Sequence, residues 1–146
     1  MKNRINTKLA SILVAGMLAT SAVSAQEGAT SQDEALTTLV EQGEQLFIDY
    51  CAVCHGDNGE GGAGPALLKN AKVESRSALV FQILFGATDH GMPPFASVLT
   101  DEEIAAIATY VRNSWDNEYG IVLARSVEMR RPAQPESEGE AEATTN

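Results

Sequence analysis

Aromatic residues make up only 5% of this 146-residue chain, and cysteine and histidine occur twice each. Basic residues are half as frequent as acidic ones, 10 against 20. Each scarcity narrows the field. At a net charge of −10 the surface is a poor match for phosphate backbones, so nucleic acid is not the expected partner. The two cysteines, Cys51 and Cys54, close too short a loop to staple a fold, because the gain from a bridge grows with the loop it closes. Cys51, Cys54, His55 and His90 are the only thiol and imidazole groups, a thin supply for a zinc site, which takes four N or S ligands. No alternating run is long enough to suggest a sheet, and no internal repeat is present. An all-α domain is expected.

Both ends differ from the middle. Lys2, Arg4 and Lys8 precede an apolar run from Leu9 to Ala19, which closes on the small residues Ser21 to Ala25. That is the pattern of a secretory signal peptide, residues 1–25, cleaved after Ala25. The alternative is an uncleaved anchor, but the run is short against the ~20 apolar residues of a span. Export implies the periplasm, and no later segment is apolar enough to span a bilayer. Without the signal the chain holds 7 basic and 20 acidic residues, a charge of −13. So acidic a surface suits a protein partner with a basic docking patch. Residues 26–31 read as a polar leader, 32–130 as the folded domain, and 131–146 as an acidic disordered tail with four glutamates and two prolines.

Within the domain, Ser31 and Glu34 have capping-box spacing, and the apolar rhythm from Leu36 to Tyr50 predicts a first helix over about 33–50. Gly56 to Lys69 holds five glycines and one proline and reads as a loop. Ser77 to Phe85 reads as a short helix stopped by Gly86. Ala87 to Leu99, with Pro93-Pro94, is a second loop. Thr100 and Glu103 form another capping-box pattern, opening a helix over 101–115, and 121–130 adds a short helix. Phe47, Tyr50, Phe81, Phe85, Phe95 and Tyr110 are the expected core and pocket aromatics. Two loops of glycine and proline leave little core, and a small domain of this kind commonly needs a staple or cofactor.

Cys51-Ala52-Val53-Cys54-His55 supplies one. C-x-x-C-H is the attachment signature of a c-type haem. Two thiols one helical turn apart can each form a thioether to neighbouring vinyl groups, and the next residue puts an imidazole under the iron. A thioredoxin-like dithiol would need a βαβ context, which is absent. For the iron's other face, Met92 sits 37 residues after His55 between Gly91 and Pro93. A thioether is a suitable ligand, and His/Met ligation raises the potential. His90 is the competing ligand, and Met129 reads as ordinary packing.

The chain resembles the class I cytochromes c over about residues 36–125. Gly43 and Phe47 precede Cys51 at that family's spacing. The resemblance implies that they meet Ile107 and Tyr110 where the first and last helices cross. Gly64-Pro65-Ala66-Leu67 is similar to the family loop whose proline carbonyl bonds the haem-binding histidine, which implies that Pro65 orients His55. Met92-Pro93-Pro94-Phe95 and the segment Leu99 to Ile104 are similar to the family's distal segment and last helix. Tyr110 to Trp115, with Asn117 and Gly120, is similar to the end of dehydrogenase cytochrome subunits. Those often carry three haem domains, whereas this chain has one C-x-x-C-H. Trp115 is expected either beside a haem propionate or at the helix end. The implied function is single-electron transfer between redox proteins, not catalysis, with His55 and Met92 filling both axial positions. An open-haem peroxidase or gas binder is the alternative.

If the cysteines hold the macrocycle, acid-acetone extraction of the denatured protein leaves haem on the chain, visible by haem staining of a denaturing gel. Transfer of all the haem to the organic phase contradicts covalent attachment.

Overall fold

The computed structural model describes the backbone of residues 23–132 and the side chains of residues 31–132. The expected signal region, residues 1–22 above all, and the acidic run from 133 onward lie outside the described residues. Among the described residues six helices follow in order: α1 (Val23–Tyr50), α2 (Ala52–His55), α3 (Ala71–Glu74), α4 (Arg76–Phe85), α5 (Asp101–Asn113) and α6 (Ala124–Glu128). A 3₁₀ turn, Thr88–His90, lies between α4 and α5. No strand occurs among the described residues beyond one isolated bridge, Ala87 to Met92. None of the described helices is long and apolar enough to cross a membrane.

Three boundaries differ from expectation. α1 begins at Val23, so the segment 26–31, read as a polar leader ahead of the first helix, is part of that helix, and Ser31 lies inside it. Nothing from 24 to 32 lacks a backbone N–H, and its alanines, glutamines and glutamate favour helix. α5 stops at Asn113, two residues early, because Trp115 and Asp116 take positive φ of 54° and 67°. Arg131 belongs to the domain and not to the tail. Its Nε donates to Asp101 at 2.7 Å, its Nη2 to the Leu99 carbonyl at 2.9 Å, and its Nη1 to the Ala96 carbonyl. The short α3 was not foreseen; Asn70 starts it by accepting from Lys72 N at 2.9 Å.

The dominant packing is α1 on α5. α5 starts as its sequence dictates. Thr100 Oγ1 accepts from Glu103 N at 3.2 Å, and the Glu103 carboxylate accepts from Thr100 N at 2.8 Å. Its face is then buried continuously from Ile104 to Arg112. Gly43 makes the crossing possible. A Cβ there would lie 2.1 Å from the Ala106 carbonyl oxygen and 2.7 Å from Tyr110 Cβ. Phe47, fully buried, stacks its ring 5.4 Å from Tyr110 and 5.2 Å from Trp115. Ile107, expected at the crossing, is buried in the same core.

Phe47, Phe95 and Tyr110 are core residues; Tyr50, Phe81 and Phe85 lie outside the protein's own core, with Phe81 and Phe85 against each other at 4.5 Å. Met129, expected to pack, is 67% exposed. It sits at the end of α6, where only Val127 turns inward.

Gly43→Ala is expected to destabilise the holoprotein by about 1–3 kcal/mol, the usual cost of overpacking. Denaturant unfolding reads it as a lower midpoint with an unchanged slope. A midpoint equal to wild type would show that the crossing can relax without cost.

Candidate functional site

The site is built from two loops and one turn of helix. At the end of α1, Cys51 N donates to the Phe47 carbonyl at 2.8 Å, and the Cys51 carbonyl accepts from Cys54 N and His55 N at 3.1 and 3.0 Å. Cys51 stands at the N-terminal boundary of the single turn α2, which carries Cys54 and His55. The thiols are unbridged and partly buried. Burial, with Cys54 as a second cause, pushes the Cys51 thiol up to about 12. A thiol held there is protonated at neutral pH. The attacking cysteine of a dithiol redox enzyme needs the opposite shift.

The loop 56–69 folds back on this turn. Gly61 N donates to the His55 carbonyl at 2.7 Å and Gly64 N to the Cys54 carbonyl at 2.8 Å. These bonds occupy carbonyls that a four-residue helix leaves unsatisfied. The same folding carries Pro65 to the histidine, where His55 Nδ1 donates to the Pro65 carbonyl at 2.8 Å. A carbonyl only accepts, so Nδ1 carries a proton, and in the neutral ring Nε2 is then the nitrogen with the lone pair. Gly64 allows the approach, since a Cβ there would sit 2.8 Å from His55 Cε1.

The residues just beyond α5 hold this loop from behind. Asn117, buried, accepts from Lys69 N at 3.1 Å and donates to the Val111 carbonyl at 2.9 Å. Trp115 lies against Gly59 and against Phe47 and Tyr110, so it closes the helix crossing onto the loop. Arg112 is also buried and has only carbonyls for partners. It donates to Val73 at 2.7 Å, Glu74 at 2.6 Å, Gly120 at 3.1 Å and the Tyr119 carbonyl. Burial first, and Arg76 second, lower its pKa from the ordinary arginine value. Reading the sequence missed Asn117 and Arg112 as structural clasps; both lay in a segment noted only for its resemblance.

The second loop carries Met92. Ala87 and Met92 exchange backbone hydrogen bonds of 2.9 and 3.1 Å, and Gly91, with φ 81°, closes the turn between them. After Pro94 the chain hangs on the last turn of α4: Phe95 N donates to the Ile83 carbonyl at 3.1 Å and Ala96 N to the Leu84 carbonyl at 3.2 Å. Met92 is half-buried against the core, and Gln82 Nε2 lies 3.6 Å from its Sδ. His90, the competing ligand, is exposed in the 3₁₀ turn.

Among the described residues no three His, Cys, Asp or Glu side chains gather as a bare metal ion would require. The donors present instead fit a haem: two unbridged thiols and an imidazole on one turn, with Nδ1 already committed and Nε2 left to bind.

The family model described as "Cytochrome C oxidase, cbb3-type, subunit III" matches residues 38–111. The chain is 34% identical over 100 residues to the dehydrogenase subunit of a quinone-type alcohol dehydrogenase from Acetobacter aceti, covering 66% of this chain but 14% of that one. It is 34% identical over 82 residues to cytochrome c6 of Thermosynechococcus vestitus, covering 53% of this chain and 71% of that one. The crystal structure of cytochrome CL from Methylophaga aminisulfidivorans matches with a TM-score of 0.51 at 25% identity, over 86% of this chain and 87% of that one.

Gly64→Ala is expected to push the imidazole off the Pro65 carbonyl. Haem attachment should persist, because both cysteines are untouched. The thermal midpoint should fall by the equivalent of about 1–3 kcal/mol. An unchanged melt and haem spectrum would show that the loop yields freely.

Proposed function

Since the chain belongs to the class I c-type cytochromes, in the family of cbb3-type oxidase subunit III, we propose that it is an exported single-haem carrier with His/Met ligation. Its role is electron transfer, and the haem is a covalent haem c. In this reading Cys51 and Cys54 hold the macrocycle, His55 Nε2 is the proximal ligand, and Met92 Sδ the distal one. The observation that carries it is the His55–Pro65 hydrogen bond, which leaves Nε2 as the only lone pair the imidazole can offer.

A haem held there supplies a one-electron ferric/ferrous couple. The chain's own residues do the rest. Pro65 holds the imidazole in one tautomer and one orientation. The Ala87–Met92 bridge and the α4 carbonyls keep the thioether from wandering, so little rearrangement accompanies the change of charge. If His55 and Met92 both bind the iron, no site would remain there for a substrate, which favours a carrier over an open-haem enzyme. The working partners are a redox donor and acceptor of the dehydrogenase or oxidase kind. The chain spans 14% of the dehydrogenase subunit it matches, so that link is part of the proposal. The signal-like residues 1–25 support export to the periplasm, and the acidic surface supports a partner with a basic docking patch.

Two measurements test this. Met92→Ala should abolish the weak red absorption band of thioether-ligated ferric haem, lower the potential, and open the ferrous protein to carbon monoxide. Met129→Ala, at an exposed position, should change none of these. A Met92→Ala protein with the wild-type band and potential would transfer the question to His90, and ready carbon monoxide binding by wild type would favour an open haem. Separately, the bimolecular rate with the donor should fall as salt rises, since the Debye length is ~8 Å at physiological strength. A flat dependence would replace steering with apolar docking.

A further inference from the structure

We propose that Lys72 is a positioning residue for the Met92 thioether, acting through the Gln82 carboxamide. The proposal rests on the reading of Met92 as the sixth ligand. Lys72 lies on α3 and Gln82 on α4, two short helices that pack together around Ser75. Lys72 Nζ donates to Gln82 Oε1 at 3.2 Å. At the other end of the amide, Nε2 donates to the Gly86 carbonyl at 2.8 Å and lies 3.6 Å from Met92 Sδ.

These partners determine which way the amide faces. An ammonium can only donate and a carbonyl can only accept, so one orientation satisfies both: oxygen toward Lys72, nitrogen toward Gly86. The second N–H of that nitrogen then faces the sulfur. The reversed amide would set its oxygen against a carbonyl oxygen and against the sulfur lone pairs, and its NH₂ against an ammonium. Gln82 is half-buried, so those mismatches are not erased by water. A thioether sulfur has two lone pairs, and one can accept this weak bond while the other faces iron.

The arrangement has an electrostatic direction. The N–H dipole turns its positive end to the ligand, and the ammonium behind it adds charge of the same sign. Both oppose the gain of positive charge on oxidation, so both favour the reduced protein. Lys72, Gln82 and Arg130 also share the wall of a cavity of about 600 Å³ with Ala78 and Phe81. The only formal charges on that wall are positive, in a chain whose net charge is −10.

The test is the midpoint potential and the red band of the holoprotein in four variants: Lys72→Met, Lys72→Arg, Gln82→Leu, and Lys72→Met combined with Gln82→Leu. Lys72→Met should reduce the equilibrium constant for reduction by up to about tenfold, or about 59 mV for one electron, and perturb the red band. Lys72→Arg should retain both properties. In the Gln82→Leu background, Lys72→Met should have little further effect. An unchanged potential in Lys72→Met would overturn the proposal. So would an equal drop with and without Gln82, which would mean a charge acting through space. Met92→Ala separates the two levels: if it leaves the band intact, the ligand assignment has failed and the proposal falls with it. If it removes the band, the Lys72 series judges the proposal alone.

Discussion

Gly43 lies backbone-to-backbone against Ala106, and the rest of the site follows from that contact. With no side chain at position 43, α1 comes close enough to α5 for Phe47 to enter between Tyr110 and Trp115. One turn later the same helix delivers Cys51. The residues beyond α5 then reach the loop that follows the haem turn, Trp115 by packing on Gly59 and Asn117 by bonding Lys69 and Leu67. That loop carries Pro65 to His55. The imidazole's orientation is therefore a long-range consequence of how two helices cross. A local change near residue 43 or 106 would reach the iron ligand without touching it.

The far end of α5 shows how a small domain stabilises loops that have little apolar surface. Three side chains within six residues occupy loose backbone groups. Arg112 holds the Val73 and Glu74 carbonyls at the end of α3 together with the 119–120 loop. Asn113 bonds both Thr109 and Gly120, and Asn117 bonds Val111. Thr109 Oγ1 adds a bond from Val122 N at 3.0 Å. Burying a guanidinium without a carboxylate is tolerable here because its donors find carbonyl oxygens, and because its face lies 5.7 Å over the Tyr119 ring. No buried side-chain polar atom among the described residues lacks a partner. Polar clasps of this kind take the place of a larger apolar core.

The two sides of the proposed haem are held by different means, and that suits a carrier. His55, the proposed ligand on one side, lies on the short turn that follows α1 and is oriented by the Pro65 carbonyl. Met92, the proposed ligand on the other, sits in a loop tied by a two-residue bridge and by the last carbonyls of α4. Both are backbone devices. Gln82 and Lys72, proposed to position the Met92 thioether, are side chains laid over this frame.

Much of this was legible in the sequence because it is local. Capping chemistry at Thr100 and Glu103, the stop at Gly86, and the C-x-x-C-H spacing each operate within one or two helical turns, so residue order alone determines them. The spacing puts Cys51, Cys54 and His55 on one turn whatever the rest of the chain does. Sequence could not settle how far α1 extends, since propensity runs through Ser31 without a break. Nor could it tell that Met129 faces outward while Arg112 and Asn117 face inward. Those outcomes belong to tertiary structure. Burial depends on which surfaces meet, and a buried arginine becomes acceptable only once Val73, Glu74, Tyr119 and Gly120 converge on it from distant parts of the chain. The line from Lys72 through Gln82 to Met92 is of the same kind, since it spans three separate elements that only packing brings together.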